Sequence, residues 1–211
     1  MVTMEAVPVR RGRPTAEDAR QKMAQVLTVA CEQFSELGYR AVTMRDVADK
    51  AQVSTRTLYN RYADKLSLFS ACLDHGAAAF PRIDPAPGDP VDEVLRRYAV
   101  EVVKTLSTES SVRLGMLVYR EGGDFPELLR AAEANQNSYL VQPLSAFLRR
   151  VGLARSDGDE PAKIFLAMAL SEWQRRVTFR WPMPNDQEID CHAALAVEIF
   201  LYGRKATNFA V

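Results

Sequence analysis

The stretch Thr43–Tyr62, TMRDVADKAQVSTRTLYNRY, constrains this chain more than any other. Its spacing predicts two short helices joined by a tight turn. Thr43 supplies a hydroxyl N-cap, and Asp46 three residues on completes a weak capping box. Val47, Ala48 and Ala51 recur at helical spacing and give the first helix a buried face. Val53 falls in the turn, and Ser54 caps a second helix whose inward residues are Leu58 and Tyr62. Between those anchors stand Thr55, Arg56, Thr57, Tyr59, Asn60 and Arg61, a set of donors and one aromatic without a carboxylate. Such a surface suits phosphate oxygens and base edges in a major groove. It is the pattern of a helix-turn-helix whose second helix does the reading.

The flanking sequence predicts helices throughout. A first helix over Ala16–Leu37 is set by Met23, Val26, Leu27, Ala30, Phe34 and Leu37, with Gly38 as its stop. A helix after Asp64 turns Leu66, Phe69, Cys72 and Leu73 inward and ends near Pro81. Residues 1–14 read as a basic arm through Arg10, Arg11 and Arg13, which either enters an adjacent minor groove or adds only nonspecific phosphate attraction. Residues 15–81 then form a DNA-binding domain, and the proline-rich 82–90 a linker. In 91–211 helices are expected at Val91–Leu106, Ser110–Arg120 (capped by its serine), Pro126–Val151 with a kink near Pro143, Glu160–Trp181 and Asp186–Leu201. The fold class is therefore all-α: a three-helix head and a C-terminal ligand-binding and dimerisation bundle, about nine helices in all.

Residues Ala19–Leu73 resemble the DNA-binding domain of the TetR family of bacterial transcriptional regulators. The resemblance rests on Phe34-Ser35-Glu36-Leu37-Gly38-Tyr39, Val42-Thr43-Met44-Arg45-Asp46-Val47-Ala48, Val53-Ser54, Thr57-Leu58-Tyr59, Tyr62, Lys65 and Leu68-Phe69. Gln52 departs from it at a turn position where the family usually has Gly, and Arg61-Tyr62 replaces the commoner His-Phe. A looser likeness to one ligand-domain subtype runs from Tyr119 through Phe125-Pro126-Glu127-Leu128.

Composition excludes more than it selects. With 47% hydrophobic and 26% charged residues the chain is ordinary globular material able to bury a core. Net charge is zero, so any DNA affinity comes from local placement: residues 1–75 hold 11 Lys+Arg against 9 Asp+Glu, and 76–211 hold 16 against 18. No secretory signal or bilayer-length apolar run is read, so a cytoplasmic protein without membrane contact is expected. Cys31, Cys72 and Cys191 lack metal-ligand spacing and read as small buried hydrophobes, with a redox-sensing thiol as the alternative. His75 and His192 are isolated, and no cofactor is implied. Gly122-Gly123-Asp124-Phe125 matches a fragment of the GGDEF cyclase signature, but that chemistry needs a β-hairpin and the chain offers no convincing strand. Neither a nucleophile motif nor a phosphate-cradling glycine loop appears, so no enzyme is expected. Glu172 with Arg175 and Arg176 reads as a salt-bridged face or dimer contact.

The resemblance and the residues together give site expectations. Arg56 and Asn60 are assigned to base readout, since Arg suits G and Asn suits A. Thr43, Thr57, Tyr59 and Lys65, with Arg45 and Arg61, are assigned to positioning on phosphate, and Ser54 and Thr55 complete the DNA-binding set. The resemblance implies a homodimer through the last two helices, a palindromic double-stranded operator and a small-molecule effector that releases a repressor. Tyr98, Met116, Tyr119, Tyr139, Phe147, Phe165, Met168, Trp173 and Phe179 are candidates for an aromatic effector pocket, with Arg113 or Arg120 as partners for an anion. Two other readings stay open: a DNA-bound protein acting through a protein partner, and a helical small-molecule binder or enzyme with a vestigial head.

Overall fold

The computed structural model describes residues 16–154 and 158–203; the basic arm of 1–14 lies outside them. Among the described residues every regular element is helical: α1 (Ala16–Leu37), α2 (Met44–Lys50), α3 (Thr55–Arg61), α4 (Lys65–Ala77), α5 (Val91–Leu106), α6 (Glu109–Glu121), α7 (Pro126–Gln136), a π turn (Asn137–Val141), α8 (Gln142–Arg150), α9 (Glu160–Phe179) and α10 (Asp186–Tyr202). Counting α7, the π turn and α8 as one rod gives nine helices, as the sequence predicts. The Gly122–Phe125 fragment sits where α6 gives way to α7, between two helices.

Two apolar cores organise these rods. The N-terminal core holds Val26, Ala30 and Phe34 of α1, Val47 and Ala48 of α2, Leu58 of α3, and Leu68, Phe69 and Cys72 of α4. Phe34 and Tyr39 each meet Phe69 edge-on, at 5.3 and 5.6 Å between ring centroids; edge-to-face pairs of this kind add about 0.5–1.5 kcal/mol beyond area burial. Leu114, Leu117 and Val118 of α6 and Leu128 of α7 belong to the same core. The hydrophobic partition therefore does not follow chain order: two helices beyond the proline-rich segment complete the head. The second core joins α5, the π turn, α8, α9 and α10 through Leu95, Tyr98, Leu144, Phe147, Phe165 and Ile189, among others.

Polar contacts fix the seam between the α1–α2 loop and the end of α6. Glu121 Oε2 accepts the Arg40 backbone N–H at 3.1 Å, and Arg40 Nη2 pairs with Asp124 Oδ2 at 2.8 Å. Burial pushes the Glu121 carboxyl up, but hydrogen bonds from Arg120 and from the Arg40 and Tyr39 backbones outweigh it and leave its pKa below the ordinary value. Farther along, Asn135 Nδ2 donates to Asp74 Oδ1 at 2.9 Å and ties α7 to α4.

Three local departures from the sequence reading have physical reasons. The break in the long rod is a π turn just ahead of Pro143, closed by the Gln142 N–H on the Asn137 carbonyl. A proline ring collides with the carbonyl four residues earlier, here that of Tyr139, and widening that turn relieves the collision. α6 begins at Glu109, one residue early, and Thr108 rather than Ser110 precedes it; the Thr108 hydroxyl donates back to Thr105 O at 3.0 Å and caps no N–H. α9 stops at Phe179 because Arg180 turns left-handed, at φ 55°, and the Trp181 N–H returns to Arg176 O at 2.9 Å.

Candidate nucleic-acid interface

The turn between α2 and α3 is built from four backbone facts. Gln52 takes the left-handed conformation, φ 54°, and its N–H bonds Asp49 O at 3.1 Å. The Val53 N–H bonds Ala48 O at 2.9 Å and the Ala51 N–H bonds Val47 O at 2.9 Å. This double closure is a Schellman end, which ordinarily recruits glycine at the left-handed position. The Gln52 departure thus keeps the turn geometry at the cost of strain.

Both helices start on side-chain caps. Thr43 Oγ1 accepts the Asp46 N–H at 3.2 Å and donates to Asp46 Oδ2 at 2.6 Å. Ser54 Oγ accepts the Thr57 N–H at 3.0 Å and shares a hydrogen bond with the Thr57 hydroxyl at 2.7 Å. Leu58 is fully buried and Tyr62 nearly so, which pins α3 by its inner face. Arg56, Thr57, Tyr59, Asn60 and Arg61 are consequently exposed, and Thr55 is half-buried. Arg56 and Asn60 lie one turn apart on the same face. Burial raises the pKa of the Tyr62 phenol, and the neighbouring Arg61 guanidinium opposes the rise. On α2, Arg45 reaches Asp49 only at 3.8 Å, both groups in solvent, so the pair holds Arg45 weakly. Lys50, which the sequence reading passed over, is exposed in the last turn of α2; a cation directly before the turn was the available signal.

Lys65 behaves differently from the others. Its Nζ donates to Tyr39 O at 2.7 Å and lies 4.4 Å from the centroid of the Tyr39 ring. Burial lowers its pKa from the ordinary lysine value, with Glu121 pulling the other way. The N-terminus of α4, where a phosphate was expected, is closed by the Asp64 carboxylate, whose Oδ1 accepts the Ser67 N–H at 2.7 Å. In this arrangement the Lys65 ammonium is bonded to the carbonyl at the end of the α1–α2 loop, and the Asp64 carboxylate lies at the same helix end.

The aromatic effector candidates do not gather around one cavity. Tyr98, Phe147 and Phe165 are buried in the C-terminal core, with Met168 and Trp173 packed on its margin. Tyr98 OH donates to Leu140 O at 3.3 Å, and burial pushes its pKa well above the ordinary phenol value. Trp173 Nε1 is buried without a hydrogen-bond partner among the described residues. Met116 and Tyr139 are half-buried, and Phe179 is exposed beside Trp181. Tyr119 is 79% exposed, because Leu114, Leu117 and Val118 take the inward positions of α6; it points to solvent and not into the bundle. Arg113 pairs with Glu109 and Arg120 with Glu121. A cleft of about 700 Å3 lies elsewhere, between the α7–π segment and α9. Arg130, Lys163 and Gln174 rim it, and Val141, Leu166 and Leu170 form its apolar floor.

The outer side of α9 and α10 carries an apolar groove lined by Ile164, Ala167, Met168, Leu195, Ala196 and Ile199. Ile164, Leu195 and Ile199 are exposed there. Glu172 accepts from Arg175 and Arg176, and Arg176 also reaches Glu188 Oε1 at 2.9 Å and Pro182 O at 3.0 Å. The Glu172 cluster is therefore a clamp between α9 and the start of α10. Among the described residues no helix is long and apolar enough to cross a membrane, and no cluster of three or more His, Cys, Asp or Glu side chains is placed to hold a metal ion. The cysteines differ from one another: Cys72 is buried as expected, Cys31 is half-buried and Cys191 is exposed, since its position on α10 faces outward.

Comparison with known proteins matches residues 26–72 to the model of bacterial regulatory proteins of the tetR family. Residues 93–203 match the C-terminal domain of AefR-like transcriptional repressors. The chain is 26% identical over 131 residues to the HTH-type transcriptional regulator AcrR of Shigella flexneri, covering 59% of this chain and 60% of that protein. It is 41% identical over 64 residues to the transcriptional activator FasR of Mycolicibacterium smegmatis, 30% of this chain and 28% of that one. The aligned portions thus span less than two thirds of these curated relatives. Among solved structures, the flavonoid-responsive regulator FrrA superposes with a TM-score of 0.70 at 24% identity, covering 86% of this chain and 96% of that one. A TetR family regulator from Pseudomonas syringae pv. tomato DC3000 gives 0.67 at 23%, covering 86% and 95%. At such identities these two likenesses speak for the fold.

Proposed function

Because the chain belongs to the TetR family of bacterial transcriptional regulators, we propose that it works as a homodimeric repressor released from a palindromic operator by a small molecule. The observation that carries this reading is the outer face of α3. Arg56, Tyr59 and Asn60 project from a helix held by Leu58 and Tyr62, and no carboxylate interrupts them. Arg56 and Asn60 take base readout, where a good bidentate pair discriminates by about 1–3 kcal/mol. Thr43, Arg45, Tyr59 and Arg61 take phosphates, while Ser54 and Thr57 shape the helix start and Lys65 positions the loop behind it. Lys50 joins the phosphate set.

The apolar groove of α9 and α10 supports pairing of two copies through these helices, since aliphatic side chains on an outer face are stabilised by being covered. The cleft beside the π turn is the better effector site than the aromatic set, because cations and amides converge there over an apolar floor. An effector held there acts by binding one arrangement of the two heads more tightly than the other.

Salt titrations of duplex binding test the DNA assignments. Arg56→Ala is expected to flatten the preference between operator and mismatched duplex. Arg61→Ala is expected to weaken both about equally and to lower the slope of log K against log salt by about 1. Lys65→Ala is expected to leave that slope unchanged and to lower the melting temperature. An unchanged preference in Arg56→Ala would overturn the readout assignment.

A further inference from the structure

Cys31 of α1 and Cys72 of α4 are distant in sequence and adjacent in space. Cys72 belongs to the N-terminal core, and Cys31 packs on that core from its margin. Both line one cavity of about 320 Å3 where α1 and α4 meet the first turn of α6, with Glu32, His75 and Arg113 on its walls. The cavity gives a small solute a route to Cys31, which is half-buried, while Cys72 is fully buried. The two thiols share that cavity, one from α1 and one from α4. The Cys72 thiol also lies 3.9 Å from Leu27 O, so it has a carbonyl acceptor whenever Cys31 is neutral.

The environments of the two thiols differ in the way a reacting pair requires. The hydrogen bond from Cys72 lowers the Cys31 pKa, with burial opposing, whereas the same contact and deeper burial push the Cys72 thiol up. Cys31, half-buried on the cavity wall, is therefore the member an oxidant meets, and fully buried Cys72 is the one held back for the second step. Attack on an oxidant needs a thiolate with access, and resolution needs a second thiol beside the product.

We propose that Cys31 and Cys72 form a hydroperoxide-reactive dithiol that closes to an intramolecular disulfide between α1 and α4. The Cys31 sulfur attacks the terminal oxygen of the hydroperoxide and the O–O bond breaks. Cys31 becomes a sulfenic acid, and the remainder leaves as an alcohol (water from hydrogen peroxide) carrying the proton that Cys31 gave up. The Cys72 sulfur then attacks the sulfenic sulfur, its proton joins the departing hydroxyl, and water is released as the S–S bond forms. Two thiols give two electrons and two protons, and one hydroperoxide is reduced. The chemistry lies in the DNA-binding head and needs neither the operator nor the effector cleft.

The full chain carrying Cys191→Ser, which removes the exposed thiol, is treated with excess hydrogen peroxide. It is then alkylated with N-ethylmaleimide under denaturing conditions and weighed intact. The expected product carries no adduct, is lighter than the reduced protein by two hydrogens, and is monomeric on a non-reducing gel. Digestion yields one cross-linked peptide pair containing Cys31 and Cys72, and dithiothreitol restores two adducts. In the same background Cys72→Ala, an apolar change suited to the core, is expected to accumulate a dimedone-reactive sulfenic acid at Cys31, and Cys31→Ser to give no dimedone adduct. Two adducts after peroxide, irreversible oxidation of Cys31 with Cys72 still present, or dimedone labelling at Cys72 would each overturn the proposal.

Discussion

Gly38→Ala probes the seam between the DNA-binding head and α6. Gly38 has φ 85°, where a side chain costs about 1–2 kcal/mol. A Cβ there would sit 2.4 Å from Glu121 Oε1, so the carboxylate must move away. That carboxylate accepts the Arg40 N–H at 3.1 Å, a hydrogen bond whose loss costs about 0.5–1.5 kcal/mol. Replacing glycine stiffens the unfolded chain and returns about 0.4–1 kcal/mol. The balance is a destabilisation of about 1–2 kcal/mol, read from urea unfolding of the full chain. A double-mutant cycle with Glu121→Ala isolates the collision: with the carboxylate already gone, Gly38→Ala is expected to cost about 1 kcal/mol less than in the parent. Additivity within about 0.3–0.5 kcal/mol would refute the argued clash and leave only backbone strain.

Gln52→Gly removes the left-handed strain at φ 54° while retaining the backbone bonds of the turn, and is expected to stabilise by about 0.5–1 kcal/mol; thermal melts check this, with Gln52→Ala expected to give no gain. Hydrogen bonds from Arg176 hold the Glu172 and Glu188 carboxyls below the ordinary 4.5. Depressed carboxylates stabilise above pH 4.5, and that contribution disappears as pH falls through their lowered values. Arg176→Met is therefore expected to melt below the parent near neutrality, with the gap closing as the pH drops under 4.5; a gap independent of pH would contradict the clamp. Ile199→Glu on the outer side of α10 is expected to shift the chain from dimer to monomer in sedimentation, and to weaken operator binding with it.

The head was legible because its elements carry local chemistry. Hydroxyl caps at Thr43 and Ser54, the buried spacing of Val47, Ala48, Ala51 and Leu58, and Gly38 at the end of α1 each fix one backbone event, and the structure has them all. The hydrogen bond of Lys65 to the Tyr39 carbonyl was not legible, since its position in the sequence says nothing of the loop packed beside it. The effector side was legible only as helices. Bulky residues such as Tyr98, Phe147 and Phe165 satisfy the same spacing whether they fill a core or line a cavity, and here they fill the core. The cleft on the other side of α9 depends on the π turn before Pro143, a register change that periodicity does not encode. Likewise Cys31 and Cys72 become a pair only through the packing of α1 on α4.

Selection of duplexes from a random library by the full chain tests the central claim most directly. The account predicts an enriched inverted repeat with half-site centres about one helical turn, roughly 10 base pairs, apart, and loss of that enrichment when Arg56 and Asn60 are both alanine. Recovery of no preferred sequence, or of the same repeat with the double variant, would contradict it.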